Sequence, residues 1–193
     1  TKTEAETKIS EKAVEDAKQS GEAVKVPTEV KAGEDSSSAP TVKVELPKDA
    51  GETKIEIPVS DVNSGTVAVI VHEDGTEEIV KSSTTTENGL QLKVDGSATI
   101  KVIDNSLDFI DTRGHWSREE VNYVVARELF NGIGNNLFGV GRPMTRGMVN
   151  TVLARLAGVD TTPKSGQKWY EPGTDWAKAN GITDGSNPEA RVT

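Results

Sequence analysis

The side chains that could make or break bonds in this 193-residue chain are two histidines, a serine set ahead of acidic residues, and 31 carboxylates. Their spacing supports no catalytic unit. His72 sits beside Glu73 and Asp74 with no second histidine within 40 residues. It reads as a lone surface histidine, the alternative being one ligand of a metal site. Ser117 lacks the Gly-x-Ser-x-Gly turn that exposes a nucleophile. Most of the acids lie in lysine–glutamate surface patterns. The aromatic subsites that a polysaccharide-cleaving carboxylate pair would need are missing from the first half. Without cysteine there are no disulfide staples or thiolate metal sites, which suits life outside a Gram-positive cell. The chain reads as non-enzymatic, with no cofactor.

Composition splits the chain near residue 107. All eight aromatics, from Phe109 to Trp176, and all seven arginines come after it. Residues 1–107 carry 12 lysines against 21 acids, while residues 108–193 carry 10 bases and 10 acids. Two such compositions predict two small domains. The net charge of -9 argues against nucleic acid, which needs a basic footprint. No run of 18 apolar residues predicts membrane insertion. The chain opens Thr1-Lys2-Thr3-Glu4 without an initiator Met and stops at Thr193, so it is expected to be a piece of a larger protein.

The first 107 residues predict a β-rich spacer with a short leading helix. Ile9, Ala13, Val14 and Ala17 recur at helical spacing behind Ser10, giving a helix over 9–19 that Ser20-Gly21 stops. Period-two runs follow at Val24–Val26, Val42–Leu46 and Ile55–Val59. Residues 34–39, with three serines, read as a loop. Two hairpins are expected, 67–71 with 77–80 around Asp74-Gly75, and 90–94 with 98–103 around Asp95-Gly96, both with type I′ turns. A core of valine and isoleucine without aromatics predicts a thin sheet or sandwich.

The second half reads as helix, loop, helix. Val121, Val124, Val125 and Leu129 stripe a helix that starts at a Ser117 cap and ends at Asn131-Gly132, with the glycine left-handed. Residues 135–141 form a turn-rich loop around Leu137 and Phe138. Thr145 can cap a second helix whose predicted buried face is Met148, Val149, Val152, Leu153 and Leu156, closed by Gly158. Elements recur at an offset of 49, with Asn180-Gly181-Ile182 answering Asn131-Gly132-Ile133. In this second copy Glu171-Pro172-Gly173 is expected to interrupt the helix, and Val192-Thr193 takes the place of Met144-Thr145.

The order Phe109-Ile110-Asp111, His115-Trp116, Gly132-Ile133, Phe138, Pro143 and Thr145-Arg146 resembles the S-layer homology repeat of bacterial surface proteins. Gly147-Met148 departs from the family's usual Ala-Glu and removes a carboxylate from the helix start. The resemblance implies an α+β chain of three parts: a β-rich spacer over 1–107, a helix-loop-helix repeat over 108–160, and a partial repeat over 161–193. It implies a non-catalytic cell-wall anchor, extracellular, whose partners are a secondary cell-wall polysaccharide or peptidoglycan-linked polymer and further repeats of the parent. The polymer would be anionic, often bearing ketal pyruvate. Its implied contacts are Arg146, Trp116, Asp111, Thr145 and Gly132. A guanidinium at a helix N-terminus offers a fork of donors beside the positive end of the dipole. Trp116 is either a sugar platform or a core anchor. Asp111 accepts sugar hydroxyls or orients the arginine, or else caps a turn. Gly132 lets backbone N–H groups reach a ligand, or serves a tight turn. Arg146 binds the anion or pairs with an acid such as Glu128. A structural module without glycan binding, and an accessory to a wall-remodelling hydrolase, are the competing functions.

Overall fold

Alternating valine and isoleucine build two mixed five-stranded sheets that share one aliphatic core. The computed structural model describes residues 4–192, so the Thr1-Lys2-Thr3 opening and Thr193 lie outside them. In chain order the elements are β1 (Glu4–Lys8), α1 (Glu11–Ser20), β2 (Val24–Lys25), β3 (Val30–Lys31), β4 (Thr41–Glu45) and β5 (Glu52–Ser60). Then come β6 (Thr66–Val71), β7 (Glu77–Ile79), β8 (Thr84–Thr85), β9 (Gly89–Asp95) and β10 (Ala98–Asp104). Helices α2 (Arg118–Ala126), α3 (Arg146–Leu156) and α4 (Glu171–Ala179) follow. The chain is thus α+β, with a β-rich N-terminal region and four α-helices among the described residues. None of those helices is long and apolar enough to cross a membrane.

One sheet runs β1-β4-β10-β6-β7 and the other β2-β5-β9-β8, with β3 also on β5. Val42, Val44, Ile100 and Val102 of the first meet Ile55, Ile57, Leu90 and Leu92 of the second in one buried cluster. The leading helix forms as its cap predicts. Ser10 accepts from the Ala13 amide, and Gly21 at φ 75 ends the helix with its N–H on Ala17 O. The strand ahead of it, β1, has no apolar alternation to announce it and is held by parallel pairing to β4.

Both turn expectations need correction. At Asp74-Gly75 only the glycine is left-handed (φ 83), and Gly75 N–H donates to His72 O at 2.9 Å. This is a type I turn closed by a glycine bulge, because the Asp74 carboxylate fixes Thr76 N–H at 2.9 Å. Around Asp95-Gly96 there is no hairpin. Strand β9 pairs with β5 and β8, while β10 pairs with β4 and β6, so the turn carries the chain from one sheet to the other. Burying the apolar faces of both strands in one core favours that crossover over local pairing.

The chain divides into two compact units, residues 1–107 with 117–127, and residues 108–116 with 128–193. Helix α2 therefore belongs with the strands. It stops at Ala126, five residues ahead of the predicted Asn131-Gly132 end, and Glu128 at φ 56 turns the chain. Ser117 contributes no side-chain cap. In the second unit α3 packs against α4. The fully buried face of α3 is Gly147, Asn150, Thr151 and Ala154; of the predicted face, Met148, Val149, Val152 and Leu153 are half-buried and Leu156 is 52% exposed. Small residues win because the helices approach closely: a Cβ on Gly173 would stand 2.6 Å from Thr151 Cα. Glu171-Pro172-Gly173 opens α4 and does not interrupt it, since proline in the first turn lacks only an N–H that would be unpaired anyway.

Candidate functional site

The loop after Phe130 is shaped from beneath by Asp111. The 3-10 turn Ile110–Thr112 aims its carboxylate at three consecutive amides. Oδ1 accepts from Phe138 N–H at 2.8 Å, and Oδ2 from Gly139 and Val140 N–H at 2.7 and 3.1 Å. Burial pushes the carboxyl upward, but these three bonds outweigh it and hold Asp111 below the usual aspartate value. Asn135 and Asn136 are both left-handed, and Leu137 N–H returns to Gly134 O at 3.0 Å, so the loop tip is a type I′ turn. Phe138 lies against Phe109 and Phe130, with ring centroids 5.8 and 6.2 Å away. Gly132 is not left-handed. It is small because a Cβ there would stand 2.6 Å from the Phe109 ring and 2.7 Å from Leu137 O.

Thr145 caps α3, its hydroxyl accepting from Met148 N–H at 3.3 Å. In return the Met148 thioether accepts from Thr145 N–H at 3.4 Å, standing where a glutamate carboxylate would close a capping box. Gly147 replaces alanine for a steric reason: an added Cβ would lie 2.8 Å from Tyr170 Cβ. The first helical amides are already taken, Arg146 N–H by Ala190 O at 2.9 Å and Gly147 N–H by Pro188 O at 2.7 Å. An anion at this end of the helix would therefore meet side chains, with those amides spent inside the protein. The Arg146 guanidinium itself pairs with an acid, Asp184 Oδ1 at 3.2 Å, and reaches Thr183 Oγ1 at 3.4 Å.

Two clefts flank α3. One, of about 370 Å³, is lined by Arg146, Asn150, Thr183 and Arg191 with Val149, Leu153, Ile182 and Val192. Its end is pinned by Val192 N–H on Met144 O at 2.9 Å. The other, of about 550 Å³, is lined by Phe130, Gly132, Ile133, Met148, Arg155 and Trp169 among others. Arg155 is occupied there, donating to Thr161 Oγ1 at 2.9 Å and Leu129 O at 3.0 Å. Burial lowers its pKa from the usual arginine value, and the charge of Glu128 opposes that shift.

The five sequence-predicted contacts do not gather in one place. Arg146 lines the first cleft and Gly132 the second; Thr145 caps the helix and Asp111 holds the loop. Trp116 lines neither cleft. It is 83% exposed with its ring 5.5 Å from that of His115, so it is no core anchor. Sequence reasoning missed Arg191, Asn150, Arg155 and Trp169 as lining residues. Arg191 stands just ahead of Val192, which takes the place of Met144 in the second copy, and this was the one signal available for it. Among the described residues no cluster of histidine and carboxylates could hold a metal ion, and His72 faces Glu78 at 3.2 Å on the surface.

Residues 108–147 match the family model described as S-layer homology domain, a segment well under half of the 193 residues. No curated protein matches the chain, and no solved structure does. The segment that holds the Asp111 loop and the start of α3 is thus similar to the S-layer homology domain, a kind of module that is generally non-catalytic and anchors its bearer to secondary cell-wall polymers.

Proposed function

We propose that this chain is a non-catalytic, extracellular anchoring module that binds an anionic, pyruvate-bearing secondary cell-wall polysaccharide. The observation that carries the reading is the convergence of Arg146 and Arg191 on the 370 Å³ cleft, whose remaining walls are Val149, Leu153, Ile182 and Val192. A ketal pyruvate presents a carboxylate and a methyl group on one carbon. Two guanidiniums answer the first and the aliphatic wall the second. Asn150 and Thr183 supply polar atoms for ring hydroxyls. On this reading residues 108–160 and 161–193 are successive repeats, residues 1–107 are the spacer, and the cleft lies between α3 of one repeat and the segment that follows α4 in the next. Exposed Trp116 is a second, separate platform for a sugar face.

The test is retention of the chain on isolated wall sacculi before and after chemical removal of the non-peptidoglycan polymer. Retention lost with the polymer, and weakened about tenfold or more by Arg191→Ala, is the expected result, since one charge-assisted hydrogen bond is worth about 1.5–3 kcal/mol. Equal retention on stripped sacculi would sink the proposal. The Arg146–Asp184 pair and the full engagement of Asp111 favour a second reading, a structural module without glycan binding.

A further inference from the structure

Lys101, in β10, has only 8% of its surface exposed. The ladder register sets it opposite Val69 of β6, which in turn stands opposite Ile79 of β7. Val69 and Ile79 pack in the apolar cluster with Ala39, Val67 and Ile103. Glu77 comes two residues before Ile79 and therefore lies on the same face of the sheet. A lysine ordinarily lays its stem on apolar surface and keeps the ammonium in water. This one reaches across β6 to an edge strand instead.

There three groups close into a ring. Lys101 Nζ donates to Glu77 Oε1 and, at 3.2 Å, to Ser36 Oγ. The Ser36 hydroxyl donates in turn to Glu77 Oε2. Of the two charged side chains, 10% of Lys101 and 32% of Glu77 is exposed. Desolvating such a pair cancels much of its attraction, whereas a neutral amide in the same place carries no such cost.

We propose that this ring is a site of self-modification, at which Lys101 and Glu77 condense into a side-chain amide. The ammonium and the carboxylate together hold every atom the reaction needs. One proton passes from Nζ through Ser36 Oγ to Oε2, leaving a neutral amine beside a carboxylic acid. Nζ then attacks Cδ: the Nζ–Cδ bond forms, the Cδ–Oε2 bond breaks, and Oε2 leaves as water with a second proton from Nζ. Ser36 is a relay and is regenerated. Between separate molecules in water this condensation is unfavourable, but partners held in contact reach effective concentrations of about 10⁵–10⁸ M. The bond ties β10 to β7 over β6, between residues 24 apart, in a chain that has no cysteine for a disulfide.

Intact mass and peptide mapping of the folded full chain test this. The chain is expected to be lighter than its sequence by one water, with the Glu77 and Lys101 peptides joined and no tryptic cut after Lys101. Lys101→Met, which suits the aliphatic surroundings, should restore the full sequence mass. Ser36→Ala should slow the loss of water about a hundredfold or more, as expected for removal of a proton relay. Should Lys101→Met fail to fold, the peptide map of the unsubstituted chain decides alone. A chain at its full sequence mass, or a lightened chain whose two peptides stay separate, would overturn the proposal.

Discussion

Thr145 and Met148 close the start of α3 on each other, hydroxyl to amide at 3.3 Å and amide to thioether at 3.4 Å. The sulfur is a weaker acceptor than a carboxylate and carries no charge for the helix dipole. Met148→Glu should therefore raise stability, by about 0.3–1 kcal/mol, whereas Thr145→Ala should lower it by about 1 kcal/mol. Urea unfolding of the two variants checks both signs.

Gly147→Ala sets propensity against space. Alanine gains up to about 1 kcal/mol over glycine inside a helix. Against that, its Cβ would stand 2.8 Å from Tyr170 Cβ and 3.1 Å from Pro188 O, and neither is the far end of a flexible side chain. Overpacking of this kind costs about 1–3 kcal/mol, so the variant should be destabilised. A midpoint at or above that of the parent would show that α3 and α4 can separate freely.

Asp111 makes the loop after Phe130 sensitive to acid. Its folded pKa is depressed by the three amides, so its stabilisation is fully present above the ordinary aspartate value of about 3.9 and is lost as pH falls through the lower folded value. Amide exchange at Phe138, Gly139 and Val140 should rise in that acid window out of proportion to neighbouring residues. Asp111→Asn should produce the same local loosening at neutral pH, because an amide nitrogen cannot accept where a carboxylate oxygen did.

Asp184 competes with any anion for Arg146. Both partners are substantially exposed, with 42% and 68% of their side-chain surfaces open. Removing the acid should leave stability unchanged, since exposed pairs contribute little. It should also free the guanidinium: Asp184→Asn is expected to tighten polymer binding severalfold. Unchanged binding would remove Arg146 from the contact.

Much of the strand pattern was legible because period-two valine and isoleucine runs report a half-buried sheet whatever the topology. Which strands pair was not, as β9 and β10 show: Asp95-Gly96 licenses a tight turn equally well between paired strands and between sheets. The leading helix was legible from Ser10 and Gly21, whose cap geometry is local. The end of α2 was hidden because Glu128, not a glycine, takes the left-handed turn. The buried face of α3 misled for a related reason. Hydrophobicity marks Leu153 and Leu156, while the partner helix selects for smallness at Gly147, Thr151 and Ala154. At the site, the motif order located Arg146 and Thr145, but a cleft is a property of two segments, and Arg191 enters it only through the pairing of Val192 with Met144.

The most direct test of anchoring is calorimetric titration of purified wall polymer, native and with its acidic substituents removed, into the full chain and into Arg146→Ala/Arg191→Ala. Binding to the native polymer that falls about a hundredfold or more on either change, and does not fall further when both are made, is the predicted result. Equal binding of the native and the stripped polymer, or full binding by the double variant, would contradict an arginine-lined cleft as the anchor.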